Sequence, residues 1–171
     1  MVNLPIPLVA LAAAALAVAV AFDVRSRRVP NAVTVPAAAL GLALRGILLG
    51  REGIGDGLGG LAVGLCLLLP VWTAGGVGAG DVKLLGAVGA VCGTRFVVWT
   101  MLLGAIAGGV MALAALALRG GGKEVLRNVG RQVRSMAALR TLTEVEPTPR
   151  SFRMSYAAAI ALGAVGAALC L

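Results

Sequence analysis

The sequence contains no histidine, and its three cysteines form no recognisable set. They are odd in number and widely separated, and each lies within an apolar segment: Cys66, Cys92 and Cys170. This arrangement is typical of neither a disulfide framework nor a zinc site, because both need several ligating residues at defined spacings. We interpret the three thiols as small side chains that face lipid or the protein interior. The sequence predicts no metal and no cofactor.

Charged residues are also scarce. They make up 13% of the 171 residues, whereas 60% are hydrophobic. Soluble domains are about one quarter charged and about half apolar, so this composition indicates a protein that crosses a membrane several times. The formal net charge of +8 would suggest nucleic acid in a soluble protein. In a membrane protein the distribution of charge between loops matters more, and we predict no nucleic-acid partner.

Six apolar runs predict an all-α fold, a single polytopic membrane domain over residues 1–171 with six transmembrane helices. The runs are about 4–22, 32–49, 58–74, 82–92, 96–118 and 156–171. A crossing needs about 20 residues, so the fourth run is short. It is either a helix screened by its neighbours, or it includes the polar residues before it. No basic segment precedes the first run, which we interpret as a retained helix rather than a signal peptide.

The basic residues predict the orientation. With both termini outside, the inner loops 23–31, 75–83 and 119–155 hold 12 of the 15 lysines and arginines, as the positive-inside rule requires. Outside we expect Arg45, Arg51 and Arg95, together with a first outer loop in which Glu52 and Asp56 are solvated. Two further carboxylates, Asp23 and Asp81, then face the same inner side.

The third inner loop, 119–155, has a pattern of its own. Four apolar residues recur at helical spacing beside a stripe of arginines: Leu126, Val129, Val133 and Met136. This pattern favours an amphipathic helix lying on an anionic lipid leaflet. The alternative is a solvated basic loop that only fixes the topology.

Glycine pairs of the form G-x-x-x-G occur inside three apolar runs: Gly60/Gly64, Gly89/Gly93 and Gly104/Gly108. Small residues let helices approach closely in lipid. We expect these pairs to pack helices within the chain; a homo-oligomer interface is the alternative.

Asp23 and Asp81 each adjoin an apolar run. An ionised carboxylate near the bilayer core costs several kcal/mol unless it is paired or hydrated, so such acids suggest a functional site. Two carboxyls in one partly dry site share a proton, and together they can activate water and protonate a carbonyl oxygen. The alternative is structural: Asp23 is an interfacial cap and Asp81 pairs with Lys83.

The segments around these acids resemble the prepilin peptidases, membrane aspartic proteases with a GxGD motif that remove the leader of type IV pilin precursors. "FDVRSRRVPN" (22–31) matches the family's first motif and "GAGD" (78–81), with Lys83, matches its second. "RMSYAAAIALG" (153–163) is similar to a third element that usually has Pro where Ser155 stands. The resemblance covers essentially the whole chain. It implies Asp23 and Asp81 as the catalytic pair.

The resemblance also implies substrates and location. These are prepilins and pseudopilins of type IV pilus systems, cut after the glycine that ends the leader, at the cytoplasmic face of the bacterial inner membrane. Larger members carry a four-cysteine zinc element and a methyltransferase activity. Only nine residues separate Phe22 from Ala32, and no C-x-x-C occurs. The chain therefore resembles the short, peptidase-only branch that processes Flp-type pilins in Tad secretion.

Residues next to the acids have predicted roles. Gly78 and Gly80 leave room for a substrate backbone beside Asp81, with a plain turn as the alternative. Pro30 and Asn31 stop one segment and start the next, with Asn31 as a helix N-cap. Lys83 anchors at lipid phosphates or pairs elsewhere rather than tuning the acid.

Two other classes of function remain open at this point. Two membrane acids could carry protons or a cation in a small transporter, although no inverted repeat accompanies them. A non-catalytic scaffold of the secretion apparatus is the other.

Overall fold

The computed structural model describes residues 4–26, 29–73, 76–119 and 156–171, and these residues form helices and no strand. The five helices in chain order are α1 (Ile6–Ser26), α2 (Asn31–Thr73), α3 (Ala79–Cys92), α4 (Thr94–Arg119) and α5 (Tyr156–Cys170). The prediction of an all-α protein is confirmed for this part of the chain. The predicted surface helix of the third inner loop lies outside the described residues.

Three of the described helices, α1, α2 and α4, are long and apolar enough to cross a membrane. The other two have 14 and 15 residues and are shorter than the roughly 20 that a full crossing needs. The prediction of six crossings is therefore not confirmed by helix length. Large apolar side chains are exposed at a spacing of three or four along one face of α4: Leu102, Ile106, Val110 and Leu113. Such a face suits contact with lipid.

The 43-residue helix α2 reverses direction at Gly50, the one residue inside it with non-helical dihedral angles (φ 67°, ψ −153°). Glycine adopts a positive φ without steric cost. Beyond the turn, Gly57 packs against Leu42, where an added Cβ would lie 2.9 Å from the Leu42 Cδ2 atom. Residues 15 apart would be separated by about 22 Å in a straight helix. The limbs 31–49 and 51–73 are therefore antiparallel, and they correspond to the second and third apolar runs.

Helix α3 lies in the interior of the bundle. It starts three residues before the predicted fourth run, and Val82 and every residue from Leu84 to Cys92 are buried. The first limb of α2 runs parallel to it, with Gly41 against Val91, and the second limb runs antiparallel. The short fourth run is thus both screened by its neighbours and extended by the polar residues before it.

The glycine pairs pack helices within the chain. Gly60 of α2 contacts Gly89 of α3 backbone to backbone, so closely that neither position has space for a Cβ. Between α4 and α5, Gly163 lies against the backbone of Thr100 and Gly104 and has no space for a Cβ. Close backbone approach of this kind replaces the hydrophobic driving force that lipid does not supply. A homo-oligomer interface formed by the same glycines stays a prediction.

Arg45 differs from the prediction that it lies in an outer loop, whereas Asp56, predicted to be solvated, is exposed. Arg45 is buried inside α2 and pairs with Asp56. Its Nε atom donates to the Gly53 carbonyl at 2.8 Å, and its Nη1 atom donates to the Val91 carbonyl at 3.2 Å. The reversal at Gly50 brings these groups together. The predicted loop is consequently a folded helical turn fixed by a buried cation.

Candidate active site

Asp23 lies in the last turns of α1, on the face that packs against the bundle. The buried positions of α1 are four or three residues apart: Leu8, Ala12, Leu16 and Ala19. Asp23 follows Ala19 by four residues and so continues the same face. Its side chain is partly buried. The amphipathic register of α1 therefore turns this carboxyl toward the other helices rather than toward lipid.

Asp81 lies in the first turn of α3, where it accepts a backbone hydrogen bond. The Gly78 N–H group donates to the Asp81 Oδ2 atom at 3.1 Å, as in one half of a capping box. A carboxylate in this position is favoured by the helix dipole and satisfies one of the unpaired N–H groups of the helix start. The sequence thus fixes Asp81 through local helix chemistry.

The two carboxyls interact. Partial burial raises the pKa of Asp81 to about 6, the Gly78 hydrogen bond opposes this shift, and the nearby Asp23 charge adds to it. Asp81 precedes the buried apolar part of α3 and lies outside the three helices long enough to cross a membrane. A carboxyl with this pKa exchanges its proton near neutral pH, which suits an acid–base group.

Two contacts join the segments that carry these acids. Gly80 packs against Val29, where an added Cβ would lie 3.0 Å from the Val29 carbonyl oxygen. The Lys83 Nζ atom donates a hydrogen bond to the Asn31 Oδ1 atom at 2.9 Å. Residues from both predicted motifs, 52 positions apart in the chain for the latter pair, therefore touch.

The residues assigned auxiliary roles differ in their surroundings. Pro30 precedes α2, and its carbonyl accepts from the Val33 N–H group at 3.0 Å. Asn31 is the first residue of α2, and its side chain accepts from Lys83. Lys83 therefore has a partner other than Asp81. The open side of Gly80 faces Val29, whereas a Cβ at Gly78 would meet only the Asp81 carboxyl within 3.5 Å. Room for a substrate beside the two glycines stays a prediction.

Two neighbours of the site lie within the quoted motifs but received no role of their own from sequence reasoning. Val29 is buried and provides the surface on which Gly80 rests. Tyr156, the chain's one tyrosine, begins α5 and lies within electrostatic reach of Asp81. Its place in the third motif is the only sequence feature that could have indicated it. Within the four described ranges, no three histidine, cysteine or acidic residues cluster as metal ligands would. Arg27, Arg28 and Ser155 lie outside those ranges.

Comparison with known proteins identifies the family. The sequence profile described as the type IV leader peptidase family matches residues 10–113, more than half of the chain, and this range includes both acids. A search of curated proteins and a search of solved structures gave no match. The apolar helices together with this match define a membrane protease. The chain belongs to the type IV leader peptidase family, and its substrates are of the prepilin type in general.

Proposed function

We propose that the protein is an aspartic endopeptidase in which Asp23 and Asp81 form the catalytic pair. The observation that carries the proposal is the contact between the two segments that bear them, Gly80 with Val29 and Lys83 with Asn31, at one end of the bundle. Burial, with a smaller contribution from the Asp23 charge, raises the pKa of Asp81 there. The family match to a peptidase over the range that contains both acids supports the proposal. Shared burial of two carboxyls favours a state with one proton between them.

The chemistry assigns a different task to each carboxyl. In this proposal Asp81 holds the shared proton and donates it to the carbonyl oxygen of the scissile peptide bond, which agrees with the raised pKa of Asp81. Ionised Asp23 takes a proton from water, whose oxygen attacks the carbonyl carbon. The tetrahedral intermediate then collapses: the C–N bond breaks, Asp23 returns its proton to the leaving nitrogen, and Asp81 recovers its own from the hydroxyl group. Both acids end in their starting states.

The membrane arrangement in this proposal has six crossings. The two limbs of α2 provide two of them. The part of α3 that follows Asp81 and the helix α5 provide two more, as short helices packed against their neighbours. The acids lie at the cytoplasmic end in the bacterial inner membrane, because that end has most of the lysines and arginines. Loop 119–155 then lies near the anionic inner leaflet.

The proposed substrates are Flp-type prepilins and pseudopilins, and the cut follows the glycine that ends the leader. The substrate must be extended at this bond, since helical carbonyls are already hydrogen-bonded. No methyltransferase activity is proposed, because the chain has no counterpart of the four-cysteine element that accompanies it in larger relatives.

Co-expression with a Flp-type prepilin tests the proposal. The wild-type protein is expected to shorten the prepilin, while Asp23→Ala and Asp81→Ala abolish cleavage at equal membrane abundance. Glu52→Ala is the matched control, because it removes an exposed carboxylate at the Gly50 turn. Cleavage by both aspartate variants would overturn the catalytic pair. A wild-type protein that cleaves nothing but dissipates an ion gradient would be a transporter, and one that does neither would be a scaffold.

A further inference from the structure

The two acid-bearing segments are held together by contacts that do not involve the carboxyls. Gly80 rests on the backbone of Val29, and Lys83 donates to Asn31. Gly80 immediately precedes Asp81, and Lys83 follows it by two positions. Both belong to the first turns of α3, so their partners fix the height and rotation of the turn that presents the Asp81 carboxyl.

Their partners are tied to Asp23 by the chain itself. Helix α1 ends at Ser26 and α2 begins at Asn31, so only four residues lie between them. This short connection limits how far Asn31 can move relative to the end of α1. A contact between Lys83 and Asn31 is therefore also a constraint between the α3 start and the α1 end.

The Lys83–Asn31 hydrogen bond is exposed. Exposed polar pairs contribute little to folding, about 0–1 kcal/mol. Such a bond can still matter for catalysis, because misplacing a reacting group by about 1 Å can cost about 100-fold in rate. Its effect is thus expected in the reaction rather than in the stability of the bundle.

We propose that Lys83 is a positioning residue: by donating to Asn31 it holds the first turn of α3 against the segment that follows Asp23, and so sets the separation of the two carboxyls. This inference rests on the proposed function. Among the described residues, the titratable groups within electrostatic reach of Asp81 are Asp23 from α1 and Tyr156 from α5.

A direct electrostatic effect of Lys83 on the acids would shift the pH–rate profile in the direction opposite to a positioning effect. Activity needs one shared proton, so the basic limb of the pH–rate profile follows the higher apparent pKa of the pair. Separating the carboxyls weakens their repulsion and moves this limb to lower pH. Removing a cation that stabilises the ionised acids moves it to higher pH. Asn31→Ala changes the position without changing any charge, which isolates the first effect.

The experiment measures prepilin cleavage against pH for the full-length enzyme in detergent, comparing Asn31→Ala, Lys83→Met, the double variant and Arg51→Met. Arg51→Met is the charge control, since Arg51 is exposed next to the Gly50 turn. We expect each single variant to lower kcat about 10-fold with KM little changed. In both single variants the basic limb of the pH–rate profile should move to lower pH. The double variant should show the same kcat and the same profile as each single variant. The thermal unfolding midpoints of all variants should equal that of the wild type.

A profile for Asn31→Ala identical to that of wild type would overturn the positioning role, whatever Lys83→Met does. Failure of the proposed function looks different, because Asp23→Ala and Asp81→Ala would then still cleave. If both aspartate variants are inactive and Asn31→Ala is unchanged, only the positioning role is wrong.

Discussion

Arg45 and Asp56 form an ion pair across the turn at Gly50. Asp56 also accepts from the Thr94 N–H group at 3.0 Å, and Arg45 donates to the Val91 carbonyl. The pair therefore joins both limbs of α2 to the end of α3 and the start of α4. It fixes the end of the bundle where those elements turn, whereas the Lys83–Asn31 contact links the start of α2 to the start of α3.

Asp56→Ala is expected to lower the free energy of unfolding by about 2 kcal/mol, because it leaves the buried Arg45 guanidinium without a counter-charge. Thermal unfolding in detergent measures the change, and Glu52→Ala, an exposed carboxylate four residues earlier, should leave the midpoint unchanged. Cleavage well below the midpoint should persist. Equal midpoints for the two variants would contradict a stabilising role for this pair.

Asp81→Asn should stabilise the protein at neutral pH. A carboxyl whose pKa is raised on folding, here from 3.8 to about 6, binds more protons in the folded state. Stability in the wild type therefore falls as pH rises from about 4 to about 6, and the deficit is complete above that range. Allowing for solvent screening, we expect a gain of about 1 kcal/mol at pH 7.5 that fades toward pH 4. Unfolding midpoints at several pH values measure it, and a pH-independent difference would be inconsistent with this titration.

Gly89→Ala and Gly109→Ala should have opposite effects. A Cβ at Gly89 would collide with the Gly60 backbone, whereas nothing lies within 4 Å of one at Gly109. Overpacking at a backbone contact costs about 1–3 kcal/mol, while alanine favours an open helical site by up to about 1 kcal/mol. The thermal midpoint should fall for the first and stay or rise for the second. Equal decreases in the thermal midpoint of the two variants would contradict a stabilising role for the close α2–α3 contact.

The proposed orientation can be read from cysteine labelling in whole cells. On a background with Cys66, Cys92 and Cys170 replaced by alanine, Arg51→Cys should react with an impermeant maleimide from outside. Ser26→Cys should react only after permeabilisation. Both parent side chains are exposed, so access depends on the membrane rather than on burial. The reverse pattern would put Asp23 and Asp81 on the periplasmic face and exclude a cytoplasmic cut.

Much of the helical layout could be predicted, because helix ends in this chain coincide with the limits of apolar runs. The fifth run, 96–118, lies within α4, and the sixth, 156–171, nearly equals α5. The second and third runs were also found, but the segment between them was predicted to be a solvated loop. From the sequence Arg45 was expected to be solvated, because its partner Asp56 comes close to it only after the chain turns at Gly50.

The candidate site was predictable to a similar extent. Loop orientation placed Asp23 and Asp81 on one side of the membrane, and the structure brings their charges into interaction; their catalytic role stays a prediction. The Lys83–Asn31 contact was not predicted, since no local pattern relates residues 52 positions apart. Likewise, Gly80 suggested open space, whereas Val29 occupies its neighbourhood in the structure.

Helix α3 is buried by its neighbours and α1 is not, so the two acids differ in how firmly their helices are packed. Asp81 lies in the first turn of a helix whose remaining length is almost entirely buried, so the backbone that carries its carboxyl is held firmly in place. Asp23 lies near the end of α1, which has only four buried positions along 21 residues and exposes Val9, Val18 and Phe22. A substrate helix arriving through lipid would displace α1 more readily than α3. Under the proposed function, Asp81 is therefore the fixed carboxyl and Asp23 is the one whose position adjusts to the substrate.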